Sequence, residues 1–180
     1  MGLEELIGSC IAGDSRAQRE LYTRYSRQLY GCCLRYASGY DDAQDILQET
    51  FITIFDKLEQ YGFKGSFEGW CKRIAVNTAL MRYRGTKVYE LLNEDQLQSD
   101  DDGIEDVETL CIDLMMKLVQ ELPDRYRMCF TMYAIDGYSH KEIASMMEVT
   151  VGTSKSNVAR ARQQLKTAII KWRCRDSSAS

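Results

Sequence analysis

Proline is almost missing from this chain: Pro123 is the single one in 180 residues. Few prolines, and few β-branched runs alternating with polar residues, exclude a β-rich architecture and point to an all-α protein. Long apolar runs are missing too. None approaches the roughly 20 residues that a membrane-spanning helix requires, and the opening MGLEELIGSC carries acids where a secretory leader carries bases. The expectation is a cytoplasmic protein without membrane insertion. Histidine is reduced to His140, and the seven cysteines form no Cys-x-x-Cys pair. A structural zinc site needs paired ligands at short spacing. No metal or other cofactor is therefore expected, and the thiols read as buried groups in a reducing compartment. No Ser-His-Asp set or phosphate-binding loop can be assembled, so catalysis finds no support.

What is present is charge, unevenly spread. The net charge of −4 at pH 7 argues at face value against nucleic acid, because the phosphate backbone repels a negative protein. Residues 88–108, however, hold nine acids and no Lys or Arg. Outside them the chain is net positive. Residues 63–87 carry six bases against Glu68, and 150–175 carry seven bases and no acid.

Helical periodicity runs nearly everywhere outside the acidic stretch. Leu3, Leu6, Ile7, Cys10 and Ile11 form a stripe closed by Gly13, and Asp14 or Ser15 can cap the next helix. A third helix starts near Asp41 or Asp42 and runs to about Gln60, burying Ile46, Leu47, Thr50, Ile54 and Leu58. Ser66 is placed to cap a fourth, from Phe67 to about Arg84, ended by Gly85. The polar segment that follows reads as a flexible tether. Helicity returns at Thr109, stops before Pro123, and resumes from Asp124 to Gly137. Ser139-His140-Lys141-Glu142 is a capping box. It opens a short helix that breaks at Glu148-Val149, and Thr150 can cap a final long one on which Val151, Val158, Leu165 and Trp172 share a side. With Ala144 at the crossing, this is the helix-turn-helix pattern.

Three surfaces could carry function. The base-rich last helix fits a recognition helix in a major groove. Bases interleaved with Phe63, Phe67, Trp70 and Tyr83 suit an unpaired strand, and Arg73, Asn77 and Arg84 share one helix face; Trp70 itself reads as core. Asp45, Gln48, Glu49, Ile52 and Asp56 lie opposite the apolar stripe of the third helix. Periodicity alone favours a solvated face there over a docking surface for a basic helix. His140, inside its capping box, is expected at the surface. A conventional helix-turn-helix regulator, or a protein-interaction module, remains open on these grounds.

Three ordered motifs narrow the choice. Asp42-Ala43-Gln44-Asp45-Ile46-Leu47-Gln48-Glu49-Thr50-Phe51 resembles the most characteristic stretch of the second domain of bacterial sigma factors. Phe63-Lys64-Gly65 with Trp70-Cys71-Lys72-Arg73-Ile74-Ala75-Val76-Asn77 is similar to the promoter-melting segment after it. Leu122-Pro123-Asp124-Arg125-Tyr126-Arg127, Gly137 to Ala144, and Val151 to Ser156 resemble the fourth sigma domain. Second and fourth domains alone are the layout of the extracytoplasmic-function (ECF) subfamily.

The resemblance implies two small helical domains, 1–88 and 109–175, joined by the acidic linker 89–108. It implies a transcription initiation factor, not an enzyme, that directs core RNA polymerase to promoters. Asp45, Gln48, Glu49 and Ile52 would dock on the coiled coil of the largest polymerase subunit, with the flap a further contact. Lys64, Phe67, Arg73, Asn77 and Arg84 would bind the −10 element, Asn77 lining the pocket for a flipped base. Lys155, Ser156, Ala159 and Arg160 would face −35 bases, and Arg162 a phosphate. Many relatives are held by an anti-sigma factor. Two departures stand out: Ser154 replaces the aliphatic residue usual there, and Ala159 offers only a methyl group to a base.

Overall fold

The computed structural model describes residues 2–86 and 112–177. The expected tether, Thr109 and Cys111 lie outside the described residues. Helices are the regular structure throughout, and no strand occurs among the described residues. The chain divides into two compact units, Met1–Arg82 and Tyr83–Ser180.

The first unit is built from α1 (Leu3–Ile11), α2 (Ser15–Tyr36), α3 (Tyr40–Lys57) and α4 (Phe67–Thr86), the last running a few residues past the boundary. Gly13 at φ +82 makes the turn between α1 and α2, a conformation that costs other residues a Cβ clash. Asp14 caps α2 by accepting from the Arg16 N–H at 2.8 Å. α2 packs against both α1 and α3. Leu6, Ile7, Leu21, Leu29, Ile46, Ile54 and Leu58 are essentially without solvent exposure. Each such side chain contributes roughly 1.5–3 kcal/mol by leaving water. Thr50 is wholly buried in α3, and its hydroxyl is satisfied by the Ile46 carbonyl at 2.6 Å. The third helix is shorter than its periodicity implies: it ends at Lys57, and Leu58–Gln60 form a 3-10 turn. α4 runs through Gly85 rather than ending there. The missing Cβ costs only about 1 kcal/mol of propensity, too little to break a helix by itself.

The second unit holds α5 (Ile112–Gln120), α6 (Asp124–Phe130), α7 (His140–Met147) and α8 (Val151–Ser177). Pro123 stands at the N-cap of α6, where a missing N–H costs nothing. Arg127, 3% exposed, ties the α5–α6 turn together. Its guanidinium donates to the carbonyls of Leu122 (2.7 Å) and Gln120 (3.2 Å) and pairs with Asp124. The α-helical pattern stops at Phe130 and continues as a π turn, Thr131–Ile135, with the Asp136 N–H bonded to the Thr131 carbonyl. Gly137 at φ +77 then redirects the chain.

α7 opens on the capping box, both halves formed: the Glu142 N–H donates to the Ser139 hydroxyl and the Ser139 N–H to the Glu142 carboxylate. It closes on Glu148 in the left-handed region. The Thr153 N–H donates to the Thr150 hydroxyl at 3.0 Å at the head of α8. The core gathers Leu118, Val119, Leu122, Tyr126, Phe130, Ala161, Leu165 and Ile169. Val151 and Trp172, expected on the buried side of α8, are each 39% exposed, whereas Val158 and Leu165 are buried.

Candidate functional site

α3 is divided sharply between two faces. Ala43, Ile46, Leu47, Thr50, Phe51 and Ile54 face the core. Asp45, Gln48, Glu49, Ile52 and Asp56 are all exposed, Ile52 to 62%. An apolar side chain left in water among carboxylates is the composition of a small interface: an apolar centre with a polar rim. Beside Gln48 runs a shallow groove lined by Tyr22, Ser26, Arg27, Tyr30 and Gln44. Tyr22, Ser26, Arg27 and Tyr30, all on α2, escaped the sequence reading, because nothing local marks them as neighbours of α3.

Asp42, Asp45 and Glu49 are not alone. Arg82 reaches across from α4 with Nη1 2.5 Å from Glu49 Oε1 and Nη2 3.1 Å from Asp42 Oδ1 and 3.5 Å from Asp45 Oδ2. Burial by itself would raise the Asp42 pKa. The Ser38 N–H and hydroxyl, at 2.8 and 3.1 Å, together with the Arg82 charge outweigh it and hold the carboxyl below its ordinary value. The converse applies to Arg82, whose burial is outweighed by Glu49 and Asp42, which raise its pKa.

A second surface runs along α4. Arg73 and Asn77 are exposed, Met81 is 70% exposed, and Arg84 lies in the last turn. With Trp70 these residues recur at three- and four-residue intervals and form one strip. Met81 was legible from its spacing to Asn77 and was missed. Trp70, expected in the core, is half-buried: its ring stacks on Phe67 at 5.6 Å and tilts against Tyr61 at 5.3 Å. Phe67 itself is 3% exposed, also packed against Tyr25 and Tyr61. No face of its ring is left for a base, so it supports the preceding loop from beneath. The exposed ring of that loop is Phe63, at 49% and φ +54, beside the exposed Lys64. The Tyr61 hydroxyl donates to the Gly65 carbonyl at 2.8 Å and pins the loop.

The third surface is α8. Its buried stripe is Ser154, Asn157, Val158, Ala161, Leu165 and Ile169. The opposite side centres on Lys155, Ser156 and Ala159, with Arg160 and Arg162 on its two flanks. Lys155 is exposed; Ser156 and Ala159 are half-buried, and the Ser156 hydroxyl donates to the Thr153 carbonyl at 3.0 Å. Arg160 donates to the Tyr126 hydroxyl at 3.2 Å, and Arg125 donates to the same oxygen at 3.1 Å. Arg162 lies over the Tyr133 ring, 5.7 Å from its centroid.

His140 corrects the expectation of a surface residue. It is half-buried, stacked on Tyr133 at 4.2 Å between centroids, and its Nδ1 lies 3.0 Å from the hydroxyl of Ser154. Burial lowers its pKa, and the charges of Lys155 and Arg162 lower it further. The substitution of Ser154 for an aliphatic side chain therefore has a local partner. Five cysteines (Cys10, Cys32, Cys33, Cys71 and Cys129) are buried and Cys174 is exposed. Burial pushes Cys33 and Cys71 up to about 12.

The same division appears in comparisons with known proteins. Residues 21–88 match the family described as Sigma-70 region 2, and residues 112–165 that described as Sigma-70, region 4. The chain is 31% identical over 180 residues to the ECF RNA polymerase sigma-E factor of Haemophilus influenzae, covering 92% of this chain and 94% of that one. It is 34% identical over 159 residues to the ECF RNA polymerase sigma factor SigE of Mycolicibacterium smegmatis, covering 84% of this chain and spanning 61% of that relative's length. In fold it is similar to the sigma factor RpoE of Bartonella quintana, solved in complex with the anti-sigma factor NepR. That match has a TM-score of 0.52 at 21% identity, covering 84% of this chain and 95% of that one. Two helical units, the second a helix-turn-helix, each matching a sigma-70 region, define a transcription initiation factor. The chain belongs to the extracytoplasmic-function subfamily of bacterial RNA polymerase sigma factors.

Proposed function

We propose that this sigma factor docks on core RNA polymerase through the exposed face of α3 and contacts promoter DNA through α4 and α8. Asp45, Gln48, Glu49 and Ile52 meet the coiled coil of the largest subunit. Lys64, Arg73, Asn77 and Arg84 hold the melted −10 strand, with Asn77 at the pocket for the flipped base and Phe67 buttressing the loop. Lys155, Ser156 and Ala159 face the −35 base edges, while Arg160 and Arg162 flank them. The second unit also meets the flap. Sigma supplies binding energy for strand opening and no covalent step. The Bartonella relative's complex supports an anti-sigma factor as a further partner.

The observation that carries this reading is Ile52, 62% exposed between carboxylates on a helix whose other side is wholly core. A conventional helix-turn-helix regulator has no need of such a face. Ile52→Ala and Gln48→Ala are expected to weaken competition for core polymerase by about 1 kcal/mol or more, roughly five- to ten-fold. Binding of the same variants to a −35 duplex stays unchanged. Undiminished competition by both variants would refute the docking role. Transcription from genomic DNA with core polymerase, mapping the start sites, then tests promoter reading.

A further inference from the structure

We infer that Arg82 is an internal occupant of the α3 docking face, a cation that a partner's own basic side chain must displace; this rests on the docking role proposed above. Asp42, Asp45 and Glu49 sit at i, i+3 and i+7, on one side of α3. One guanidinium, delivered from α4, reaches all three, closest to Glu49 at 2.5 Å. Two of those three carboxylates are docking residues.

The three contacts differ in how firmly they are built. The Asp42 side chain is 30% exposed and is fixed by two hydrogen bonds from Ser38. Glu49 and Asp45 are 48% and 62% exposed, and among the described residues Arg82 alone donates to either carboxylate. Asp42 is thus the anchor of the guanidinium, and Glu49 is the exchangeable end. An ion pair this exposed is weak, because water and salt compete for both partners. A cation brought by a docking helix can take Glu49 while Arg82 stays hydrogen-bonded to Asp42 through Nη2. No covalent change or refolding is required, only a rotation about the last side-chain bonds.

The consequence for affinity has a definite sign. With Arg82 in place, three carboxylates and one guanidinium present two net negative charges to a basic partner; without it they present three. Arg82 therefore sets the affinity for polymerase below what the acids alone would give. It also makes docking depend less steeply on salt, since one ion pair is broken for each one made.

The test measures the affinity of the full chain for core RNA polymerase at two ionic strengths. Arg82→Met keeps the aliphatic stem and removes the charge. It is expected to tighten binding by about two- to five-fold, the range set by a partly exposed pair, and to steepen the salt dependence. Arg82→Lys keeps the charge but cannot span Asp42 and Glu49 at once, so it gives a smaller gain in the same direction and serves if Arg82→Met loses helicity by circular dichroism. In a Glu49→Gln background the gain from Arg82→Met shrinks, because only Asp42 and Asp45 are left for Arg82 to mask. Unchanged or weaker binding by a folded Arg82→Met, or by Arg82→Lys, overturns the proposal and makes Arg82 a residue that presents the carboxylates. Ile52→Ala and Gln48→Ala, which leave Arg82 untouched, separate the two ideas. If they weaken binding and the Arg82 variants do not tighten it, docking stands and the internal occupant falls.

Discussion

At the scale of single residues, Ser154 and His140 carry the most distinctive chemistry. A hydroxyl with no solvent exposure must find a partner, since a buried polar group left alone costs about 1–3 kcal/mol. Ser154 finds it in His140 Nδ1, on the other helix of the helix-turn-helix. Burial, and then the neighbouring charges of Lys155 and Arg162, lower the pKa of the imidazole. Because its folded pKa lies below the ordinary 6.5, the unfolded chain takes up the proton first on acidification. Stability is then full above about pH 6.5 and falls as the pH drops below it. Denaturant titrations at pH 7.5 and 5.5 should show this loss, and His140→Gln should remove its contribution. Ser154→Ala should cost about 1 kcal/mol at pH 7.5, read from the denaturation midpoint.

At the scale of elements, α8 shows how far periodicity can be trusted. Its sequence offers Val151, Val158, Leu165 and Trp172 at intervals of seven, and the middle two are buried while the outer two are half open to water. The outer two lie in the first turn of α8 and beyond Ile169, outside the packed stretch Ser154–Ile169, so their position along the helix and not their face opens them to water. The true stripe follows steps of three and four through Ser154, Val158, Ala161, Leu165 and Ile169. Leu165→Ala should therefore destabilise the chain by about 2–5 kcal/mol, while Trp172→Ala costs far less, both measured by chemical unfolding. Comparable losses from the two would contradict this stripe. By contrast, the capping box at Ser139 and the turn at Gly137 were readable directly, because both are set by residues three or fewer apart. The loop before α4 was readable only in part. Interleaved bases and aromatics mark a surface, but which ring turns inward depends on Tyr25 and Tyr61, distant or unmarked in the sequence; hence Phe67 is core and Phe63 is outside.

At the scale of the whole molecule, charge is sorted by segment. Residues 1–62 sum to −4 and 88–108 to −9, against +5 for 63–87 and +7 for 150–175. The acids of 88–108 are expected to oppose non-specific DNA binding by repulsion, an effect screened beyond about 8 Å at physiological salt. Replacing those nine acids by amides should raise affinity for random duplex at low salt, and the difference should vanish toward 1 M, as followed by fluorescence anisotropy. A difference that survives high salt would point to a cause other than charge. This sorting was visible in the sequence because it needs only order along the chain. The Arg82 cluster was not, since it joins residues 33 and 40 positions apart. No local pattern records a tertiary ion pair of that span.

The two tryptophans have a practical consequence. Trp70 and Trp172 fall one in each unit, the first resting on Phe67 beside the exposed strip of α4, the second part-exposed near the end of α8. Each unit thus owns one tryptophan, which can be excited apart from the tyrosines. Substituting either tryptophan by phenylalanine leaves an unlabelled chain whose emission reports on one unit alone, so events at α4 and at α8 can be timed separately in the same full-length protein.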